Sequence, residues 1–326
     1  MRRTLNSILI TLTLLLALAA LTLGPSDISV GETLSILLGN GDSGSRHYII
    51  WQLRMPRILA SMLTGAVLGF SGAIFQAALR NPMADPFILG VSSGASFGVA
   101  IALALGLSSL IGFPVAALIG SVATTLAILA LSFKRKGATT TLLLTGVAIN
   151  YILSAAMTLL MVMNREQYQR ILYWSLGSFS TATYSQVVVI AGAALLLFIP
   201  LSSAHKSLDM LLLDESTSQA LGLSVSAVRL AVLLPASIAT AICVSYFGVI
   251  GFIGLMAPHV SRLLVGPKHK HLLLPSALFG SLLMLGSDTL ARILLESGEL
   301  PVGVITSLLG VPLFIYLLRK GRYRYG

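Results

Sequence analysis

The chain has 326 residues, 56% hydrophobic and only 10% charged, with mean hydropathy +0.92 and a formal net charge of +10. A soluble domain carries about 25% charged residues, so this much apolar side chain has no place in a water-soluble core. Disorder, a secreted disulfide scaffold and a soluble enzyme are excluded, and the lone Cys243 rules out intrachain disulfides and cysteine metal clusters.

One membrane-crossing helix takes about 20 mostly apolar residues. In chain order the apolar runs fall at about 5–23, 58–79, 91–107, 115–133, 142–163, 187–201, 228–246, 249–265, 272–290 and 302–318. They predict an all-α polytopic membrane protein of about ten spans with both termini on one side. The seventh and eighth runs almost touch at Phe247-Gly248, which leaves nine as the alternative. With the N-terminus in the cytoplasm, 15 of the 21 Lys and Arg residues, including every lysine, lie inside and 6 outside, as the positive-inside rule requires. The basic excess therefore marks topology among membrane lipids and gives no reason to expect nucleic acid. Arg2, Arg3 and Ala17-Leu18-Ala19 imitate a cleaved signal peptide. The apolar run nevertheless continues to Leu23, and the charge asymmetry needs this first span retained. The longest polar stretches are the outer loops 24–53 and 164–186 and the inner loop 202–227. None suffices for a second domain, so residues 1–326 are expected to form one transmembrane unit.

Within the inner loop, Asp214 can cap a short helix at Ser216–Leu221, with Gly222 as its stop. That leaves Leu213, Ala220, Leu221 and Leu223 facing water. Without a basic cluster for lipid headgroups, the segment reads as a docking helix for a cytoplasmic partner.

Several motif matches mislead. Gly39–Gly44 spells GxGxxG in a polar loop, without the strand and helix that dinucleotide binding needs. Gly90-Val91-Ser92-Ser93-Gly94 spells a nucleophile elbow, and His259 would be its base, so an intramembrane serine protease is the enzyme alternative. Small residues continue at Ala95, Ser96 and Gly98, favouring instead a helix face built for close approach. Gly65, Gly69, Gly72 and Ala73 form a similar face, within one subunit or between two. No GxxxxGK[ST] run exists, so any ATP hydrolysis belongs to another chain. An ion-coupled carrier, the third reading, buries titratable residues in its spans, and these are missing at mid-depth. The polar residues there are Gln76 and Asn150; Asp288 and Arg292, four apart and able to pair, lie near the outer end of the ninth span. His259 follows Pro258 and shares a helix face with Arg262, and no second His or Cys stands at metal-ligand spacing.

Arg54 and Arg57 flank Pro56, a residue suited to the first turn of a helix. Cations there oppose both the helix dipole and the positive-inside rule. Two rules broken at one place point to function, with Arg292 as a third member of a basic outer patch; snorkelling to lipid phosphate is the alternative.

At these residues the chain resembles the FecCD-type permeases of bacterial ABC importers for ferric siderophores, haem or cobalamin. Trp51-Gln52-Leu53-Arg54-Met55-Pro56-Arg57 resembles the family's WxxRxPR motif. Asn81-Pro82-Met83-Ala84-Asp85-Pro86, followed by Leu89–Ala95, resembles its NPLAxPxxLGxxxGA segment. Gly248–Arg262 (GVIGFIGLMAPHVSR) is similar to its most specific signature, and Glu299-Leu300-Pro301-Val302-Gly303 recurs before the last helix. The resemblance implies the type II ABC importer permease fold in the bacterial plasma (inner) membrane. It also implies a homodimer, two cytoplasmic ATPases holding ATP and Mg, and an extracytoplasmic substrate-binding protein whose acidic residues dock on the basic patch of Arg54, Arg57 and Arg292, with no cofactor or catalytic residue on this chain. The segment 207–224 matches the ATPase-coupling pattern GExxAxxLG: Glu215, Leu221 and Gly222 fit, while Asp214 replaces Gly and Ser218 replaces Ala. Asn81 and Met83 match one cytoplasmic gate region, and Thr139 and Thr140 the other. By the same resemblance, Gly90–Gly94 is a structural turn.

Overall fold

The computed structural model describes residues 2–24, 28–40, 44–107, 112–132, 138–295 and 298–319. Among them it contains helices and no strand. In chain order these are α1 (Arg2–Thr22), α2 (Val30–Leu37), α3 (Ser45–Tyr48), α4 (Met55–Ala78), α5 (Val91–Ala104), α6 (Gly112–Ser132), α7 (Ala138–Met163) and α8 (Tyr168–Ser175). They continue as α9 (Tyr184–Ser203), α10 (His205–Leu211), α11 (Glu215–Ala220), α12 (Val225–Phe247), α13 (Ile253–Val265), α14 (His269–Ile293) and α15 (Val302–Arg319). Seven helical stretches of the described residues are long and apolar enough to cross a membrane. Three shorter apolar helices, at Val91–Ala104, Ile253–Val265 and Val302–Tyr316, join them. These helices match the ten apolar runs of the sequence.

The axis of the bundle is α4, buried along nearly its whole length. Its small residues explain how. Lipid tails supply no hydrophobic drive between helices, so close van der Waals approach must hold them together. A Cβ placed on Gly65, Gly69 or Gly72 would collide with the backbone carbonyl of Gly280, Ser276 or Gly254. This face therefore works inside one subunit, against α14 and α13. The α5–α6 pair uses the same device, with Gly94 against Gly120 and Gly98 against Ala116. At the other extreme, α7 has only 11% of its apolar window buried and presents Leu144, Tyr151, Ile152 and Leu159 outward.

Four boundaries differ from the sequence reading. The second span does not begin near Pro56: α3 runs through a π-helical turn, Ile49–Arg54, into α4 as one helical stretch, Ser45–Ala78. Backbone donors precede Pro56, so it marks no helix start. The outer loop also holds α2, closed by a capping box between Ser29 and Glu32, and α8 occupies the second outer loop. The inner loop holds α10 before the expected short helix. The seventh and eighth apolar runs form two separate helices, because α12 ends at Gly248 (φ +74°) and α13 starts only after Phe252 (φ +69°). Parts of two sequence arguments lie outside the described residues: the inner basic residues at 134–136 and 320–324, and positions 41–43 of the GxGxxG match.

Candidate functional site

The two ends of α4 carry most of the polar residues singled out by the sequence. At its first turn Arg57 is buried and engaged on both edges. Its Nη2 lies 2.8 Å from Asp288 Oδ1, its Nε 3.0 Å from Oδ2, and its Nη1 2.8 Å from both oxygens of Glu299. Arg292 donates from Nη2 to Ala20 O at 3.1 Å, and its Nε stands 3.7 Å from Asp288 Oδ2. Arg54 donates from Nη1 to Leu21 O and, at 3.0 Å, to Thr22 O. Those carbonyls end α1, where a helix leaves acceptors unsatisfied and its dipole is negative. Arg54 and Arg292 therefore serve the C-terminus of α1, and Arg57 is neutralised by Asp288 and Glu299, so the dipole of α4 is not what they answer to. The three residues of the expected basic outer patch are thus held internally in this structure. Arg54, Arg57 and Arg292 are 5%, 8% and 4% exposed and clamp α1, α4, α14 and the Glu299 segment together. The expected Asp288–Arg292 pair is secondary, because Asp288 is claimed by Arg57 from across the bundle.

At the opposite end of α4 lies the coupling candidate. Helix α11 covers Glu215–Ala220, one residue earlier than expected at each end. Gly222 stops it as read, at φ +83°, with the Leu223 N–H returning to Ser218 O at 3.0 Å. Asp214 stands at the N-cap, but its side chain makes no capping hydrogen bond, a correction to the expected cap. The five candidate coupling residues face two ways. Asp214, Leu221 and Gly222 are exposed together with Leu213, whereas Ser218 is fully buried, its Oγ donating to Met210 O at 2.8 Å, and Glu215 is half-buried. The segment is moored by Leu208 and Leu211 in the core, by Arg80 Nε donating to Leu211 O at 2.7 Å, and by Asp209. Asp209 accepts from the His269 backbone N–H at 2.9 Å and meets its Nδ1 at 2.6 Å. Desolvation pushes the Asp209 carboxyl up, but these bonds outweigh it and hold the group below the usual carboxylate range. Sequence reading missed Arg229. It is completely buried at the start of α12, with Nε donating to Ala78 O at 3.0 Å; an isolated Arg opening an apolar run was its one signal.

The gate candidates lie just past the last turn of α4 and in the first turn of α7. Asn81 Oδ1 accepts the Met83 N–H at 2.9 Å, forming an Asx turn, and Asp85 Oδ1 accepts the Phe87 N–H at 2.8 Å to start the Pro86–Leu89 turn. Burial pushes the Asp85 carboxyl up to about 6 against the pull of that bond. Thr139 and Thr140 open α7, which packs on the same turn through Gly146 against Ile88 O. Met83 and Thr140 are exposed, and Asn81 and Thr139 half-buried. Beyond the turn, a cavity of about 340 Å³ is lined by Ser92, Ser93, Ser96, Asn150 and Ser154, among others.

His259 does not line that cavity, so Ser92 lacks its supposed base there. Gly90 is left-handed (φ +76°) and Gly94 abuts Gly120, which makes the elbow-like motif a turn and a helix contact. In the signature segment Pro258 and His259 are buried in α13. Arg262 donates from Nη2 to Gln76 Oε1 at 2.8 Å, and Gln76 Nε2 donates to Leu255 O at 3.3 Å, so Gln76 ties α4 to α13.

Comparison with known proteins identifies the family and the fold. The FecCD transport family matches residues 12–320. The cobalamin import system permease protein BtuC of Halobacterium salinarum is 37% identical over 306 residues, spanning 92% of this chain and 78% of the relative. The hemin transport system permease protein HmuU of Yersinia pestis is 36% identical over 316 residues, 95% of each chain. A solved metal-chelate type ABC transporter in an inward-facing conformation superposes with a TM-score of 0.88 at 32% identity, covering 98% of this chain and 99% of that one. A bundle knitted by small residues around one buried helix, with family-wide similarity along its length, places this chain in the FecCD transport family as an integral-membrane ABC transporter permease.

Proposed function

We propose that this chain is the membrane-spanning subunit of an ATP-driven importer for a metal chelate: a ferric siderophore, haem or cobalamin. Two copies would enclose the path, two cytoplasmic ATPases would drive it, and an extracytoplasmic binding protein would deliver the chelate. The observation that carries this reading is the segment 207–224. It is moored to the core by buried leucines yet exposes Leu213 and Leu221, an apolar face suited to a protein partner. Asn81, Met83, Thr139 and Thr140 are assigned to the cytoplasmic constriction. The end carrying Arg54, Arg57 and Arg292 is assigned to the binding protein. A partner carboxylate reaching Arg57 would there replace Glu299, the more exposed of its two acids.

The test is Leu221→Asp. Burying an unpaired charge at an interface costs several kcal/mol, so this variant should insert normally yet lose its ATPase during purification in detergent. Full ATPase stoichiometry with normal uptake would remove the docking role.

A further inference from the structure

Arg229 heads the fully buried side chains ranked by size, and a guanidinium stays charged in proteins. Its Nε is committed to Ala78 O in the last turn of α4, where the helix dipole favours a cation. Its Nη1 and Nη2 have no hydrogen-bond partner. A buried cation with two open donors is an unfavourable end state, and the pair of N–H groups matches a carboxylate bidentately. The charges acting on Arg229 are Glu215 and Arg80. Arg80 holds the neighbouring Leu211 O from a left-handed backbone (φ +48°), and its Nη2 is also unpartnered. Glu215 opens α11 and is half-buried, while Asp214, Ser216 and Thr217 beside it are exposed. Its side chain therefore turns inward, on the face of α11 that Ser218 shares one turn later.

We infer that Arg229 is the internal receiver of the Glu215 carboxylate, forming a latch between the docking segment and the end of α4. The latch is open in this structure. Closing it presses α11 onto the core and joins the segment to the central helix, whose far end bears Arg57. Glu215 is then a positioning residue that carries movement inward, while Leu213 and Leu221 hold the partner. This inference rests on the coupling role proposed above.

The experiment uses the full permease–ATPase–binding protein complex in proteoliposomes. Uptake is measured with cyanocobalamin, haemin or a ferric hydroxamate, whichever the wild-type complex accumulates. Glu215→Gln should keep ATPase affinity within about twofold of wild type but lower chelate moved per ATP about tenfold. Glu215→Asp should restore part of that ratio, and Glu215→Gln/Arg229→Gln should be no worse than Glu215→Gln alone. An unchanged ratio in Glu215→Gln overturns the latch even if Arg229→Gln fails to fold. Loss of ATPase affinity in Glu215→Gln also overturns it, because Glu215 would then touch the partner directly. Retention of the ATPase by Leu221→Asp would instead sink the coupling role itself.

Discussion

Replacing Asp288 with Asn tests whether the arginine cluster is a structural clamp. Three arginines face two carboxylates there, Asp288 and Glu299, and Asp288 is completely buried. At an effective dielectric of about 20, unit charges 2.8 Å apart attract by about 6 kcal/mol. Asn keeps the shape and one acceptor but removes the charge, leaving the more exposed Glu299 as the carboxylate that acts on both Arg57 and Arg292 among the described residues. Breaking a buried pair from one side destabilises by about 3–5 kcal/mol. Cys243 provides the readout, being the only cysteine and buried: a thiol-reactive fluorogenic dye in detergent reports its exposure on heating. The midpoint should fall by about 5–10 °C. Arg57→Met/Asp288→Leu, which removes both charges, should lie closer to wild type than Asp288→Asn, because apolar replacement of a buried pair is often neutral. A midpoint for Asp288→Asn within about 1 °C of wild type, or a double variant showing the sum of both single losses, would refute the clamp.

Gly72→Val should destabilise by more than the about 1–3 kcal/mol usual for overpacking, since its Cβ meets the Gly254 backbone. Gly192→Ala, with nothing within 4 Å of the new Cβ, should gain up to about 1 kcal/mol from helix propensity; both are read by the same thermal assay. Asp85→Asn should be more stable than wild type at neutral pH. Burial raises the folded carboxyl from the ordinary 3.8 to about 6, so wild type loses stability as pH rises between those values, by up to about 3 kcal/mol. The difference should vanish below about pH 4, and a difference largest in acid would show the sign to be wrong. A Thr140→Cys variant should cross-link between two copies and stop uptake; a cross-link that leaves uptake intact would take Thr140 out of the path.

Composition and period alone were enough for the class of fold. Lipid as solvent demands long apolar helices, and these stand out in one dimension because each span is contiguous. The short helix before Gly222 was legible for the same reason, since a glycine stop needs only local chain. The small-residue faces at Gly65–Gly72 and Gly94–Gly98 were visible as patterns, but their partners were not. Which helix fits a groove of glycines depends on how the whole chain folds back.

The roles of the charged residues lay beyond the sequence for a physical reason. An arginine's meaning is set by whatever stands within a few ångströms of its guanidinium, and those groups come from remote positions. Arg57 finds Asp288 and Glu299 more than two hundred residues away, and Arg54 and Arg292 find the carbonyls that end α1. Arg229 closes over Ala78, and Glu215 parts company with Leu221 although both belong to one motif. Residue type and spacing placed the apolar runs and the short helix before Gly222. Only tertiary packing decided that the outer arginines hold the bundle together, that α4 is its axis, and which side of α11 is buried.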